Sequence, residues 1–364
     1  IALESPTRGS ITLEPGGQFE LSGAPLYTSE ETAAELNDHL AQVKRLSEDF
    51  GIAWLALGMD PFHPVDQIPT MPKARYDVMR RYLPTRGGLG LDMMHATATV
   101  QANYDFSSEA DMVAKMRVGI LATPVVSALY ANSPLSGGRE NGFVSKRLMI
   151  WRDTDPDRCG QIPFVFDPEF GYERYAQWAL DVPLFFVVRG KHYEPGDGTT
   201  FRQFLDKGFR GLRPTLGDWE THLTTLFPDV RLKRIVEVRG SDTASSELLC
   251  ALPALWKGLF YDADALEGAW ELLRRTSVAE LDAGQLDVAK RGLRAEMGGR
   301  KVVDLARELT ALSATGLRRI AAEAGASGSA ANEVRFLDAL LEQIDKGISP
   351  GEELLVRWRD EWDR

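Results

Sequence analysis

The first stretch that could do chemistry is residues 11–20, ITLEPGGQFE, where carboxylates and an amide flank a turn. Residues two apart on a strand share a face, so Gln18 and Glu20 are expected to point the same way. Pro15 and the two glycines after it predict a turn or bulge that would bring Glu14 near Glu20. Oxygen ligands on one concave face suit Mg²⁺. A solvated strand with a turn explains this segment alone equally well.

A second polar face comes from TVQANYDF, residues 99–106, in which polar and apolar residues alternate. The alternation predicts a strand with Gln101 and Asn103 on one face and Ala102 and Tyr104 on the other. Any half-exposed strand shows this pattern. Facing the first stretch across a sheet, the polar pair would become metal ligands or hydrogen-bonding partners of a substrate.

A third candidate is VRLKRIVEVRG, residues 230–240, interpreted as one strand. Lys233, Glu237 and Arg239 would share one face, and Arg234 would lie on the other. Charges on a buried strand are costly unless each has a partner. A metal at Glu237 and a phosphate or carboxylate at Arg239 would satisfy both, and the local basic density suits polyphosphate. A cross-strand salt bridge is the alternative.

Two further basic stretches could clamp an anion. Arg75 lies in MPKARYDVMRR, and Arg147 lies in SKRLMIWRDTDPDR. Both are equally typical of a solvated surface, although loops often carry substrate contacts. The chain has no GxxxxGK[ST] loop and no GxSxG elbow, so neither a P-loop nor a serine nucleophile is expected.

Composition restricts the possible partners. The 364 residues include 53 acidic and 42 Lys or Arg residues, and a net charge of -11 argues against nucleic acid. No apolar run was expected to approach membrane-spanning length, so no membrane partner is predicted. Cys159 and Cys250 have no metal-ligand spacing and suggest buried thiols in a reducing compartment, hence the cytoplasm. The chain opens on Ile1, so an organellar location is expected if a targeting peptide was lost. Nothing in the pattern decides the oligomeric state.

The elements that position these residues predict an α+β fold. Thr28 and Glu31 have capping-box spacing for a helix that would end at Gly51, and GIAWLALGMD, residues 51–60, is interpreted as a buried strand. Long loops rather than regular helical crossovers separate most strands, which favours a mixed or antiparallel sheet. We predict a catalytic domain over residues 1–261 and a helical part over 262–364 that packs on it.

Two of these stretches resemble motifs of the glutamine synthetase superfamily: LEPGGQFE resembles its PGQ-x-E strand, and KRIVEVRGSD its R-x-E-V-R-x-x-D strand. From about residue 10 to about residue 262 the chain is similar to the plant and proteobacterial type of glutamate–cysteine ligase. The motifs that carry this likeness, in order, are SITLEPGGQFELSGAPL, IPTMPKARYDVMRRYLP, GLGLDMM, TVQANYDFSSEADM, YANSP, IWRDTDPDR, PFVFD, ALDVP, TFRQFL, DWETHLTTLFPDVRLKR and CALPALW.

The resemblance implies a curved, mainly antiparallel sheet that forms a funnel, with helices outside. It also implies a reaction that uses ATP and Mg²⁺. ATP phosphorylates the γ-carboxylate of L-glutamate, and the amine of L-cysteine attacks the acyl phosphate. The product, γ-glutamylcysteine, is the first intermediate of glutathione synthesis. The small-molecule partners would therefore be L-glutamate, L-cysteine and ATP.

The resemblance also implies roles for individual residues. The implied metal ligands are Glu20 and Glu237, with Gln101 and Glu14 as weaker candidates. Arg234 and Arg239 would hold phosphate and the glutamate carboxylate, and Lys233 and Arg234 would contact ATP. The implied substrate contacts are Met94, Arg75, Arg147 and Trp151, and the polar face of residues 99–106 adds Asn103 as a further candidate.

Three departures from the family pattern leave alternatives open. An upstream G-T-E-x-E strand that supplies further metal ligands is not in this sequence, so a truncated or non-catalytic relative that binds glutamate or nucleotide is one alternative. Gly196 and Gly211 occupy the places of a cysteine pair in plant members, so a redox switch there is not expected. His95 and Ala96 replace the usual Leu-Arg, which leaves a ligase for another amine as a second alternative.

Overall fold

The computed structural model describes residues 2–4 and 9–362 and is an α+β structure, as predicted. The strands are β1 (Ala2–Glu4), β2 (Ser10–Leu13), β3 (Phe19–Ser22), β4 (Thr99–Tyr104), β5 (Leu135–Ser136), β6 (Arg139–Glu140), β7 (Cys159–Gly160), β8 (Phe186–Arg189), β9 (His192–Pro195), β10 (Phe227–Pro228), β11 (Val230–Leu232), β12 (Val236–Asp242), β13 (Glu296–Met297) and β14 (Arg300–Lys301).

The α-helices include both the core and the outer layer. They are α1 (Ser29–Phe50), α2 (Ala74–Tyr82), α3 (Gly90–Ala96), α4 (Glu109–Leu129), α5 (Lys146–Arg152), α6 (Tyr172–Asp181), α7 (Phe201–Lys207), α8 (Leu216–Leu223), α9 (Ser246–Phe260), α10 (Ala263–Leu273), α11 (Val278–Arg291), α12 (Val302–Glu323), α13 (Asp338–Lys346) and α14 (Pro350–Arg357). Short 3₁₀ segments lie at Val65–Gln67, Leu83–Thr85, Pro163–Phe166, Gly292–Arg294 and Gly328–Leu337, and a π turn lies at Trp358–Trp362.

The strands form small sheets rather than the one curved sheet that the resemblance implies. Within the described residues, β1–β2–β3 and β11–β12–β4 are three-stranded antiparallel sheets, β5–β6, β8–β9 and β13–β14 are hairpins, and β7 pairs parallel with β10. Most strands are too short to extend a ladder, and a register shift between Val238 and Ser241 interrupts the pairing of β12 with β4.

Two strand predictions are wrong. Residues 230–240 form a hairpin, in which the backbone N–H of Lys233 donates to the carbonyl of Ile235 at 2.8 Å and the chain reverses. Residues 51–60 form no strand, and Trp54 and Leu55 are exposed. No strand of the described chain pairs along residues 52–57, and an isolated strand leaves its backbone groups without hydrogen-bond partners.

The predicted helix at Ser29–Phe50 is confirmed. The Thr28 side chain accepts from the backbone N–H of Glu31, the Glu31 carboxylate accepts in return from the N–H of Thr28, and Gly51 ends the helix with φ of 64°. The alternation of β4 is also confirmed, because Ala102 and Tyr104 are buried whereas Gln101 and Asn103 are exposed.

Helix α4 lies in the largest hydrophobic core and packs against β12, α10, α11 and α12. By length and composition it is long and apolar enough to cross a membrane, so the expectation that no apolar run approaches that length is wrong. Most of the helix is buried inside the protein, as is common for the core helix of a folded domain. The predicted boundary at residue 261 falls between α9 and α10, and both α10 and α11 pack against α4.

Candidate active site

A tight turn joins β2 to β3 and carries the first predicted site residues. The N–H of Gly17 donates to the carbonyl of Glu14 at 2.8 Å, and the N–H of Glu14 donates to the carbonyl of Gln18 at 2.9 Å. Gly17 has φ of 86°, a left-handed conformation that glycine adopts without steric cost. The predicted turn after Glu14 is therefore confirmed.

This turn is docked against the carboxyl end of α3. A Cβ atom on Gly16 would lie 2.0 Å from the carbonyl oxygen of His95, so the two backbones are in direct contact. On the other side, the N–H of Met71 donates to the carbonyl of Pro15 at 2.9 Å. The hairpin is held between two separate segments of the chain.

Gly16→Ala is expected to lower the free energy of unfolding by about 1–3 kcal/mol, because the new methyl group forces the turn away from His95. Urea unfolding measures this change. Gly217→Ala is the matched control: Gly217 lies in α8, and the nearest atom to its added Cβ is 3.8 Å away. Alanine is the better helix former by about 1 kcal/mol, so the control should gain stability or keep it. A loss in the control as large as that at Gly16 would contradict the steric explanation.

The β11–β12–β4 sheet carries a face of buried charge. Arg231, Glu237 and Asn103 lie opposite one another across the three strands. The Glu237 carboxylate accepts from Arg231 Nε and, at 3.0 Å, from an Arg239 guanidinium nitrogen that also donates to Gln101 Oε1 at 2.9 Å. The cross-strand salt bridge considered above is thus formed, and Gln101 contacts an arginine through its amide oxygen.

The arginines determine the charge of Glu237. Burial alone would raise its pKa, but the positive charges of Arg239 and Arg231 lower the pKa to about 2. Glu237, Arg231 and Arg239 are 5%, 6% and 9% exposed. The carboxylate is therefore ionised at neutral pH, and each arginine has an anionic partner that offsets its burial.

The electrostatic surroundings of Glu20 link the β2–β3 hairpin to this face. Loss of solvent around the Glu20 carboxyl raises its pKa, and the negative charge of Glu14 raises the pKa further. A hydrogen bond from Ser22 at 3.0 Å and the positive charge of Arg239 lower the pKa of Glu20. The negative charge of Glu237 also raises the pKa of Glu20. Glu20 is thus within electrostatic range of Glu14 on its own hairpin and of Glu237 and Arg239 on β12, although its side chain is open to solvent.

Arg147 lies beneath the charged face and is 2% exposed. It donates to the carbonyl of Arg239 at 3.1 Å and lies 3.8 Å from the carboxylate of Asp242. Burial lowers the pKa of Arg147 to about 10 against the opposing charge of Asp242. Asp242, the last residue of β12, also accepts hydrogen bonds from Ser133 and Ser145. Arg147 thus contacts the end of β12 at both the Arg239 carbonyl and the Asp242 carboxylate.

Arg147 and Arg239 both line a small cavity, together with Trp151, Asp229 and Gln285. Arg147 Nε and Trp151 Nε1 are buried there with no hydrogen-bond partner within the described chain. Buried donors of this kind are normally satisfied, and the cavity is so small that a single water molecule would fill it.

The other predicted site residues lie on α2, α3, β4 and the β11–β12 turn. Met94 is buried on α3, and Asn103 is exposed opposite Glu237. Lys233 and Arg234 are exposed in the β11–β12 turn, and Arg75 is exposed on α2 with its guanidinium 5.2 Å from the Tyr76 ring. No hydrogen bond or ion pair of the described residues joins Arg75 or Arg234 to Glu237 or Arg239.

Arg231 is the charged residue that the sequence interpretation missed. The interpretation of residues 230–240 as one strand could not show that Arg231 and Glu237 pair across a hairpin. Gln285 was also missed, because α11 lies far along the chain. It donates to Asp229 at 2.9 Å and accepts from Arg152 at 2.8 Å.

The candidate side chains can be compared with the ligands that a divalent cation needs. Among residues 2–4 and 9–362, no group of three or more His, Cys, Asp or Glu side chains is placed to hold a metal ion. Glu14 and Glu20 fit a hard cation, because a positive charge would relieve their mutual repulsion. Glu237 and Gln101 already bind arginines and would have to share their oxygens.

Buried arginines on one sheet and two carboxylates on a second are the kinds of group with which a protein can bind an anionic small molecule and a cation. Comparison with known sequences gives the particular family. The chain belongs to glutamate-cysteine ligase family 2, whose sequence model matches residues 2–364. The resemblance in the motifs above is thereby confirmed.

Similar proteins include three plant enzymes named "Glutamate--cysteine ligase, chloroplastic". The enzyme of Brassica juncea is 48% identical over 97% of this chain and 68% of its own length, and that of Medicago truncatula is 46% identical over 98% and 69%. The enzyme of Arabidopsis thaliana is 48% identical over 97% and 66%. The chain thus spans about two thirds of each relative. Their chloroplast location gives no support to the cytoplasmic expectation and favours the organellar one.

Proposed function

We propose that this chain catalyses the ATP-dependent ligation of L-glutamate to L-cysteine, which is the first step of glutathione synthesis. The observation that carries the proposal is the family match over residues 2–364. The geometry supports it, because the reaction needs cations to bind phosphate and carboxylate groups, and needs no covalent nucleophile on the protein.

Arg239 is the central residue of the proposed reaction. Its guanidinium lies 5.7 Å from the Trp151 ring and 5.8 Å from the Phe227 ring, and one of its terminal nitrogens donates to both Glu237 and Gln101. A guanidinium held in this way can stabilise negative charge that develops on the transferring phosphoryl group, and needs little rearrangement to do so.

The exposed cations of the β11–β12 turn, Lys233 and Arg234, are proposed to contact the phosphates of ATP. Arg75 and Asn103 are proposed contacts of the amino-acid substrates, together with Met94, Trp151 and Arg147 near the cavity. Arg147 is almost wholly buried, so its contribution would come through the unpartnered Nε at the cavity wall.

Glu14, Glu20 and Glu237 would hold a divalent cation, proposed to be Mg²⁺, which supplies charge neutralisation on the ATP phosphates when it is bound. The chain's own contribution would be to hold Glu237 against Arg239 on β12 and to present Glu14 and Glu20 from the β2–β3 hairpin. We further propose that the two three-stranded sheets are parts of a glutamine synthetase-like curved sheet, that residues 1–261 form the catalytic domain, and that residues 262–364 pack on it.

The test is divalent-cation-dependent ADP release by the full chain with L-glutamate, with and without L-cysteine and with a panel of other amines. Cysteine-stimulated release, together with γ-glutamylcysteine detected by mass spectrometry, is expected. Stimulation only by another amine would move the acceptor to that amine, and His95 and Ala96 would be the first positions to examine. Glutamate binding without release under any condition would favour the non-catalytic alternative.

A further inference from the structure

The side-chain amide of Gln18 joins the β2–β3 hairpin to the segment that leads into β4. Its Oε1 accepts from the backbone N–H of Gly16 at 2.8 Å. Its Nε2 donates to the carbonyl of Thr97 at 3.0 Å and to that of Met94 at 3.4 Å. One amide thus contacts the turn of its own hairpin and the carboxyl end of α3.

These contacts show why the residue is a glutamine. Both ends of the amide are in use, with the acceptor toward an N–H and the donor toward two carbonyl oxygens. A glutamate of the same shape would place a negative oxygen against those carbonyls. In the sequence, Gln18 looked like a candidate metal ligand beside Glu20, but in the structure its oxygen is already engaged by Gly16.

The hydrogen bonds of Gln18 connect two elements that each carry candidate site residues. Glu14 and Glu20 flank Gln18 on the hairpin, and Gln101, which binds Arg239, follows Thr97 on β4. We propose that Gln18 is a positioning residue: it sets the distance of the two hairpin carboxylates from the arginine face and so the affinity of the site for a divalent cation. This inference rests on the proposed function.

The test compares Mn²⁺ binding by the full chain carrying Gln18→Glu or Gln18→Met with binding by the unmodified chain, using electron paramagnetic resonance at neutral pH. Removing a residue that orients metal ligands typically lowers metal affinity by about 10–100-fold, and a loss in this range is expected for both variants. Gln42→Glu is the control, since Gln42 is exposed on α1, and its affinity should not change.

Enzyme activity gives a second readout. The variants are expected to need about 10–100-fold more Mg²⁺ for half-maximal ADP release and to recover near-normal kcat at saturating Mg²⁺. A lower melting temperature with unchanged Mn²⁺ affinity would overturn the inference and leave Gln18 a structural residue. No Mn²⁺ binding by the unmodified chain would also overturn it. If Gln18→Glu does not fold, Gln18→Met decides the question. Failure of ADP release in the unmodified chain refutes the proposed function alone, because Mn²⁺ binding is measured without turnover.

Discussion

Replacement of Arg239 by lysine is expected to lower kcat for glutamate-dependent ADP release by about 10²–10³-fold, the usual effect of removing one donor that stabilises transition-state charge. Lysine keeps the positive charge but lacks the planar, five-donor fork that can bind a phosphate or carboxylate in a bidentate way while one of its nitrogens donates to Glu237 and Gln101. Steady-state kinetics with saturating ATP and L-glutamate measure the loss.

Arg274→Lys is the matched control, because Arg274 also pairs with a glutamate, Glu271 at 2.7 Å, but on the exposed end of α10. Its kcat should equal that of the unmodified chain. A chain with Arg239→Lys that keeps full kcat and shows only a higher KM would contradict the proposed role, because a loss in KM alone indicates ground-state binding.

Replacement of Glu237 by glutamine is expected to lower the free energy of unfolding at pH 7 by about 3–5 kcal/mol, since it leaves Arg231 and Arg239 buried without an anionic partner. The pKa of about 2 gives a pH test. A pKa lowered from 4.5 means that ionised Glu237 stabilises the folded chain above about pH 4.5, and that this stabilisation is lost as the pH falls toward 2.

Urea unfolding at pH 7, 4 and 3 should therefore show that the unmodified chain and the Glu237→Gln chain differ less in free energy of unfolding as the pH falls. Glu271→Gln is the control, because its exposed pair should contribute at most about 1 kcal/mol. A difference that stays constant from pH 7 to pH 3 would mean that the ionised pair is not the source of the stability.

Much of the site was predictable because it depends on local pattern. The alternation of residues 99–104 assigned Gln101 and Asn103 to the polar face, and the Pro-Gly-Gly sequence placed the turn between Glu14 and Glu20. The reversal at Lys233–Ile235 was not predictable in this way, because it contains none of the Gly, Pro, Asn or Asp residues that usually mark a turn. The single-strand interpretation therefore did not show that Arg231 pairs with Glu237.

Long-range contacts account for the remaining differences. The apolar residues 51–60 have the composition of a buried strand, but a strand needs a neighbour, and local sequence does not say whether one exists. The engaged amide of Gln18 was equally hidden, because its partners at Met94 and Thr97 lie more than seventy residues away.

Gln285 on α11 bonds Asp229 and Arg152 and lines the small cavity next to Arg239. Residues 262–364 therefore form one side of that cavity. A chain cut after residue 261 would open the cavity below Arg239 to bulk water and leave Asp229 without the amide that it binds. The two parts of the chain therefore share one buried cavity and are not independent at residue 261. Grafting the first 261 residues onto another scaffold would transfer this cavity without the α11 side that closes it.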